Sequence, residues 1–243
     1  IGGGATNQTG DTSDNAVIGG GANNVARGQH STIGGGYISL TTGNYSTVAG
    51  GISNFAAGHG SFIGGGGPSA AGGQFSTIGG GANNLASGNY TTIAGGHWND
   101  IAPLGQFGVV SGGHANRSNG AYSVISGGDS NQLQLADYSI ILGGRSNYSS
   151  GLYTTIAGGQ RLSVGGNNVF AFLANPNDLL PMGISNSNVA AFGNVDLWLA
   201  NNRGQAGRLF FYEPNSVTGG FPPVLSASQH YSTFEAQTQI ENY

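Results

Sequence analysis

Residues 76–90 read Ser76-Thr77-Ile78-Gly79-Gly80-Gly81-Ala82-Asn83-Asn84-Leu85-Ala86-Ser87-Gly88-Asn89-Tyr90, and the next residues, Thr91-Thr92-Ile93-Ala94-Gly95-Gly96, begin the pattern again. The apolar residue before x-Gly-Gly serves as an anchor. It recurs at Ile1, Ile18, Ile33, Val48, Ile63, Ile78, Ile93, Val110, Ile125, Ile141 and Ile156. Successive steps are 17, 15, 15, 15, 15, 15, 17, 15, 16 and 15 residues. A fixed period of this length marks a stacked repeat architecture, with turns that absorb an occasional extra residue. We therefore expect an all-β, glycine-rich parallel β-solenoid, a β-roll of about 15 residues per coil, over residues 1–171.

Each column of the repeat has its own chemistry. The residue before the anchor is mostly β-branched (Val17, Thr32, Thr47, Thr77, Thr92), and the one before that is small and hydroxylic (Ser31, Ser46, Ser61, Ser76, Thr91). Three before the anchor comes an aromatic column of Tyr45, Phe75, Tyr90, Phe107, Tyr122, Tyr138 and Tyr153. By propensity this run reads as a strand. Alternation then puts anchor and Ser on an inner face and the β-branched and aromatic columns on the outer one. Glycines mark two turns per coil, where positive φ excludes a Cβ. Six residues after the anchor stands Asn7, Asn24, Asn54, Asn84, Asn99, Asn116, Asn131 or Asn147, with Ser39 and Ser69 breaking the column. We expect these Asn to be structural, taking left-handed turn conformations and bonding to their own backbone or to one another along the axis.

Composition narrows the functional classes. Gly supplies 48 of 243 residues, charged residues only 7%, and the net charge is −4. The chain has no Lys, and its positive charge rests on six Arg. Such a chain neutralises few phosphates, so no nucleic-acid partner is expected. Absence of Cys excludes disulfides and thiolate metal sites. No apolar run suggests membrane insertion in this segment. Because Ile1 falls inside a repeat, we expect the chain to be a window on a longer one.

Motifs that suggest chemistry dissolve into the repeat. A phosphate loop occurs once between strand and helix, whereas these glycine runs recur in every coil. Collagen needs Gly at every third position, and the calcium β-roll needs an Asp that follows the glycine pair only at Asp129. His30, His59, His97, His114 and His230 read as turn and surface residues in different columns or distant coils. The ten carboxylates show no register. A Thr array suggests ice binding, but Phe62, Val109, Val124 and Ile140 interrupt it. We expect no catalytic centre, no cofactor and no metal site. The aromatic column is read as a packing ladder, with a sugar platform as the alternative.

The stretch 76–90 resembles the head repeats of trimeric autotransporter adhesins of the YadA type, although triple glycine and Thr-Ile replace that family's Val-Ala-Ile. The resemblance implies a left-handed β-roll assembled as a homotrimer. It also implies a non-enzymatic extracellular fibre that attaches a cell surface or virion to carbohydrate or protein on host or matrix. The alternative is a phage tail-fibre or receptor-binding segment that recognises surface carbohydrate.

Residues 172–243 lose the fifteen-residue period and hold five of the seven prolines. We expect a small β-rich domain or cap there, with strands near Val195–Leu199, Leu209–Tyr212 and Tyr231–Ala236. The segments 207–215 and 231–237 look similar to C-terminal segments of large bacterial surface proteins and phage tail-fibre-like proteins.

Overall fold

A computed structural model describes residues 1–11, 13–173 and 182–193. The strands expected after residue 194 lie outside these described residues. The described chain is a parallel β-solenoid without a helix, built of two twelve-stranded sheets. Every second strand belongs to the same sheet, so each coil contributes one rung to each. Anchor strands such as Thr77–Ile78 and Thr92–Ile93 lie in one sheet, in register Thr77↔Thr92 and Ile78↔Ile93. Strands such as Leu85–Ala86 and Asp100–Ile101 form the other.

The core is a stack of paired side chains. Ile18, Ile33, Val48, Ile63, Ile78, Ile93, Val110, Ile125, Ile141 and Ile156 are fully buried. The second sheet contributes a column that includes Ala26, Ala56, Ala71, Ala86, Ile101, Leu133 and Val164, also fully buried. Ile1 is 63% exposed and does not join them. The inward Ser column needs its hydroxyls satisfied, because an unmade buried hydrogen bond costs about 1–3 kcal/mol. Ser76 Oγ donates to Gly73 O at 2.8 Å and Thr91 Oγ1 to Gly88 O at 2.8 Å, whereas Ser61 Oγ in the same column is buried without a partner.

The strands are shorter than the sequence suggests. Most are two residues long, and the aromatic column is not in them. His30, Tyr45, Phe75, Tyr90, Phe107, Tyr122, Tyr138 and Tyr153 all have φ between 54° and 59°. The expectation that they share the outer strand face is corrected: each sits at a corner, in a region a Cβ disfavours. A backbone hydrogen bond accompanies that conformation. Strand N–H groups donate forward to the next coil, as Thr77 N does to Thr91 O at 2.8 Å. Tyr90 N instead donates backward to Gln74 O, also at 2.8 Å.

Glycine has two distinct reasons at the corners. At Gly96, φ is +90° and an added Cβ would stand 2.3 Å from Gly113 O. At Gly43 the φ is not left-handed, but a Cβ would lie 2.0 Å from Gly58 O in the next coil, so close stacking rather than φ requires Gly.

The roll also runs past Phe172. Met182–Ile184 pairs with Leu162–Val164, and Ala190–Gly193 pairs with Phe170–Leu173. Each partner lies twenty residues on (Leu162↔Met182, Phe170↔Ala190), a step that a fifteen-residue period does not detect. Within the earlier coils, the longer steps from Ile93 to Val110 and from Ile125 to Ile141 leave their extra residues outside the strands. Gln132–Leu133 is a strand, and the extra chain bulges at the exposed Leu135. Pro103 and Leu104 lie on an exposed turn.

Candidate functional site

The Asn column builds an interior ladder. Asn24, Asn54, Asn84, Asn99, Asn116, Asn131 and Asn147 are buried, whereas Asn7 is not. Asn84 Nδ2 donates to Gly80 O and to Gly96 O, both at 3.0 Å, while its Oδ1 accepts from Asn99 N at 3.0 Å. The same three bonds recur at Asn99, Asn116 and Asn131. The amides therefore bond to neighbouring backbone, not to one another. Left-handed φ belongs to the preceding residue, Asn83 or Trp98, rather than to the column itself.

The aromatic column forms an exterior ladder. Tyr90–Phe107, Phe107–Tyr122, Tyr122–Tyr138 and Tyr138–Tyr153 stack at 4.8–5.2 Å with interplanar angles of 2–9°. Phe75 stacks on Tyr90 at 5.3 Å. At Gly60 no ring is present, and His59 bridges edge-on between Tyr45 and Phe75. Because the rings turn their faces to one another, they present mainly edges to solvent.

A polar edge occupies the column four residues after the anchor. His97 and His114 stand in adjacent rungs, with ring centroids 5.5 Å apart. Their placement corrects the reading of scattered histidines, since the 17-residue step between Ile93 and Val110 hides the shared column. His114 Nδ1 donates to Asp129 Oδ1 at 2.8 Å, and Arg145 Nε lies 3.4 Å from Asp129 Oδ2. The His114 bond, then that from Ser130, hold the Asp129 carboxyl below its usual range. Nearby, burial pushes the Asp100 carboxyl up, and the Arg117 guanidinium at 3.2 Å partly reverses this. No group of three His, Cys, Asp or Glu suited to a metal occurs among the described residues.

One coil departs from the pattern. Where the preceding coil carries Ile52-Ser53-Asn54-Phe55 and the following one Ala82-Asn83-Asn84-Leu85, residues 67–70 are Gly67-Pro68-Ser69-Ala70. Leu85 fills its outward position on the second sheet, whereas Ala70 leaves a gap beside Phe55. An open notch of about 300 Å³ results, lined by Phe55, Ala70 and Trp98 among others. The Asn ladder breaks beneath it: Asn54 Oδ1 is buried without a partner, and Asn54 Nδ2 reaches Gly66 O only at 3.5 Å. Sequence reading missed this notch, although the Gly-Pro-Ser-Ala departure was its signal.

No known protein-family model matches the chain, and no curated protein matches it.

Proposed function

We propose that this chain is a non-enzymatic fibre module of an extracellular attachment protein, assembled from three parallel copies. The observation that carries the reading is the glycine two residues after each anchor. All eleven coils have Gly two residues after the anchor, from Gly3 to Gly158. At Gly3, Gly20, Gly35, Gly50, Gly80, Gly95 and Gly143 an added Cβ would meet nothing within 4 Å, and φ is not left-handed. Gly65, Gly112, Gly127 and Gly158 of the same column have φ of 146–155° and need Gly on their own account. Neither packing nor a left-handed φ within the chain asks for Gly at the other seven positions. A backbone pressed against them from outside does, and a partner that repeats with every coil is another copy of the coil.

The dimensions agree. Eleven rungs at ~4.8 Å make a strip roughly 50 Å long, and four residues across make it about 13 Å wide. Pairing two such strips buries on the order of 1,300 Å², within the range of small stable interfaces. The number of copies, the surface location and the adhesive role come from the resemblance to trimeric adhesin heads. A second reading, a tail-fibre segment that recognises surface carbohydrate, draws on the neutral, aromatic-lined notch.

The test is to incubate purified native protein with cell surfaces and with a panel of surface polysaccharides. The expected outcome is retention on one or more of them with no new reducing ends. Cleavage of any polysaccharide contradicts the non-enzymatic reading, and failure to adhere to any surface contradicts the attachment role.

A further inference from the structure

The geometry points to a subsite for one neutral sugar ring in the notch between Phe55 and Trp98. This deepens the attachment reading and rests on it only for the source of the sugar. The notch arises by subtraction. On the second sheet the outward column runs Leu40, Phe55, Ala70, Leu85, and Ala70 is its one small member in that stretch. Pro68 and Ser69 replace the two asparagines of the neighbouring coil and form the rest of the floor. The volume, about 300 Å³, fits one ring of a chain that continues into solvent.

The lining selects the ligand chemistry. No charged side chain contributes to it, so a charged ligand gains no partner there. Two aromatic side chains supply apolar surface, while Ser53 and Asn83 contribute to the wall as neutral polar residues. A pyranose has the matching character, an apolar C–H face bordered by hydroxyls. The aromatic anchor is preorganised. Trp98 is 58% exposed, yet its backbone is fixed at φ 59° and the His97 ring meets its ring edge-on at 5.7 Å. His97 is in turn placed by Asn83 Nδ2 at 3.1 Å from its Nε2 and by the His114 ring. Trp98 thus presents ring surface to solvent, whereas the rings of the exterior ladder cover one another.

Two variants use residues the repeat already accepts. Ala70→Leu refills the notch with the side chain found at Leu85, and Trp98→Asn installs the residue found at Asn83 in the same left-handed position. Intrinsic fluorescence of the native protein is titrated with neutral oligosaccharides of glucose, galactose and N-acetylglucosamine, and separately with Pro-rich and aromatic peptides. The expected result is a saturable shift with at least one oligosaccharide. Ala70→Leu is expected to weaken that binding by about tenfold or more. Trp98→Asn is followed by calorimetry, since the indole at the notch is gone and Trp198 alone remains, and is expected to lose comparable affinity. No saturation with any sugar, equal sugar binding by Ala70→Leu, or saturation with peptides alone overturns the proposal. Surface adhesion is measured in parallel on wild type and Ala70→Leu. Adhesion without notch binding of sugar defeats this proposal and spares the attachment reading; sugar binding without adhesion does the reverse.

Discussion

At one corner of each coil the chain turns over a buried amide, and at the other it turns under a ring half in solvent. Asn84 is 1% exposed and Tyr90 is 50% exposed. Both corners hold a non-glycine residue in the left-handed region, Asn83 at φ 56° and Tyr90 at φ 58°. The amide corner is fixed by three side-chain hydrogen bonds per coil that a buried neighbour cannot replace with water. The ring corner is fixed by backward backbone bonding and by stacking that is partly solvated. The same conformational demand is thus met from inside at one corner and from outside at the other. Stability concentrates at the first, and the second is free to vary, as Gly60 shows by omitting the ring.

The largest effect is expected where backbone meets backbone at the amide corner. Gly96→Ala combines a left-handed φ with a Cβ 2.3 Å from Gly113 O, and is expected to cost about 3 kcal/mol or more. Chemical denaturation reads this out as a midpoint below that of wild type. Next comes Asn84→Ala, which strips a buried N–H at Asn99 of its acceptor. Its expected cost is about 1–3 kcal/mol. Asn54→Ala is expected to cost less, because Asn54 Oδ1 accepts nothing. Equal losses for the two would break the ladder account.

At the ring corner the effects are smaller. Tyr122 stacks on Phe107 at 4.8 Å and on Tyr138 at 5.0 Å, and Tyr122→Ala is expected to cost about 0.5–1.5 kcal/mol. Tyr122→Gly also loses the rings but takes φ 54° without a Cβ penalty, so it is expected to be the milder change. If Tyr122→Gly proves the harsher variant, the strain assigned to this corner is wrong.

The smallest effect is electrostatic. The Asp129 carboxyl titrates below its unfolded value, so its contribution is present above that value and is lost as pH falls through the folded one. Asp100 titrates above its unfolded value, so its contribution is present at low pH and is lost as pH rises through the folded one. Melting temperatures followed from neutral pH into the carboxylate range are expected to fall less steeply for Asp129→Asn than for wild type. Asp100→Asn is expected to melt slightly higher at neutral pH, and identical profiles for all three would contradict both assignments.

Much of this was legible in the repeat. The anchor period gave the coil, and Ile33, Ile78 and Ile93 are buried as alternation requires. The corners were harder to read. Tyr is a strand former by propensity, so Tyr90 extended the apparent strand by residues that are in a turn. The left-handed residue is Asn83, not Asn84, because the ladder amide must point inward while its neighbour absorbs the turn. The notch was hidden for another reason. It depends on Ala70 lying between Phe55 and Leu85 in adjacent coils, a juxtaposition set by register rather than by any local motif. The last rung among the described residues, Met182–Ile184 with Ala190–Gly193, was hidden by its longer step.

The comparison of corners describes one chain, whereas the proposed association of copies rests on the glycines two residues after the anchors, seven of which would carry a Cβ that meets nothing of the chain itself. Sedimentation equilibrium of the native protein at micromolar concentration, with a Gly80→Ala/Gly95→Ala variant beside it, addresses that directly. The account predicts the mass of three chains for wild type. For the variant it predicts weakened association with secondary structure retained, because neither Cβ meets its own chain. A stable, fully folded monomer for the wild type, or a variant that associates as tightly as wild type, would contradict it.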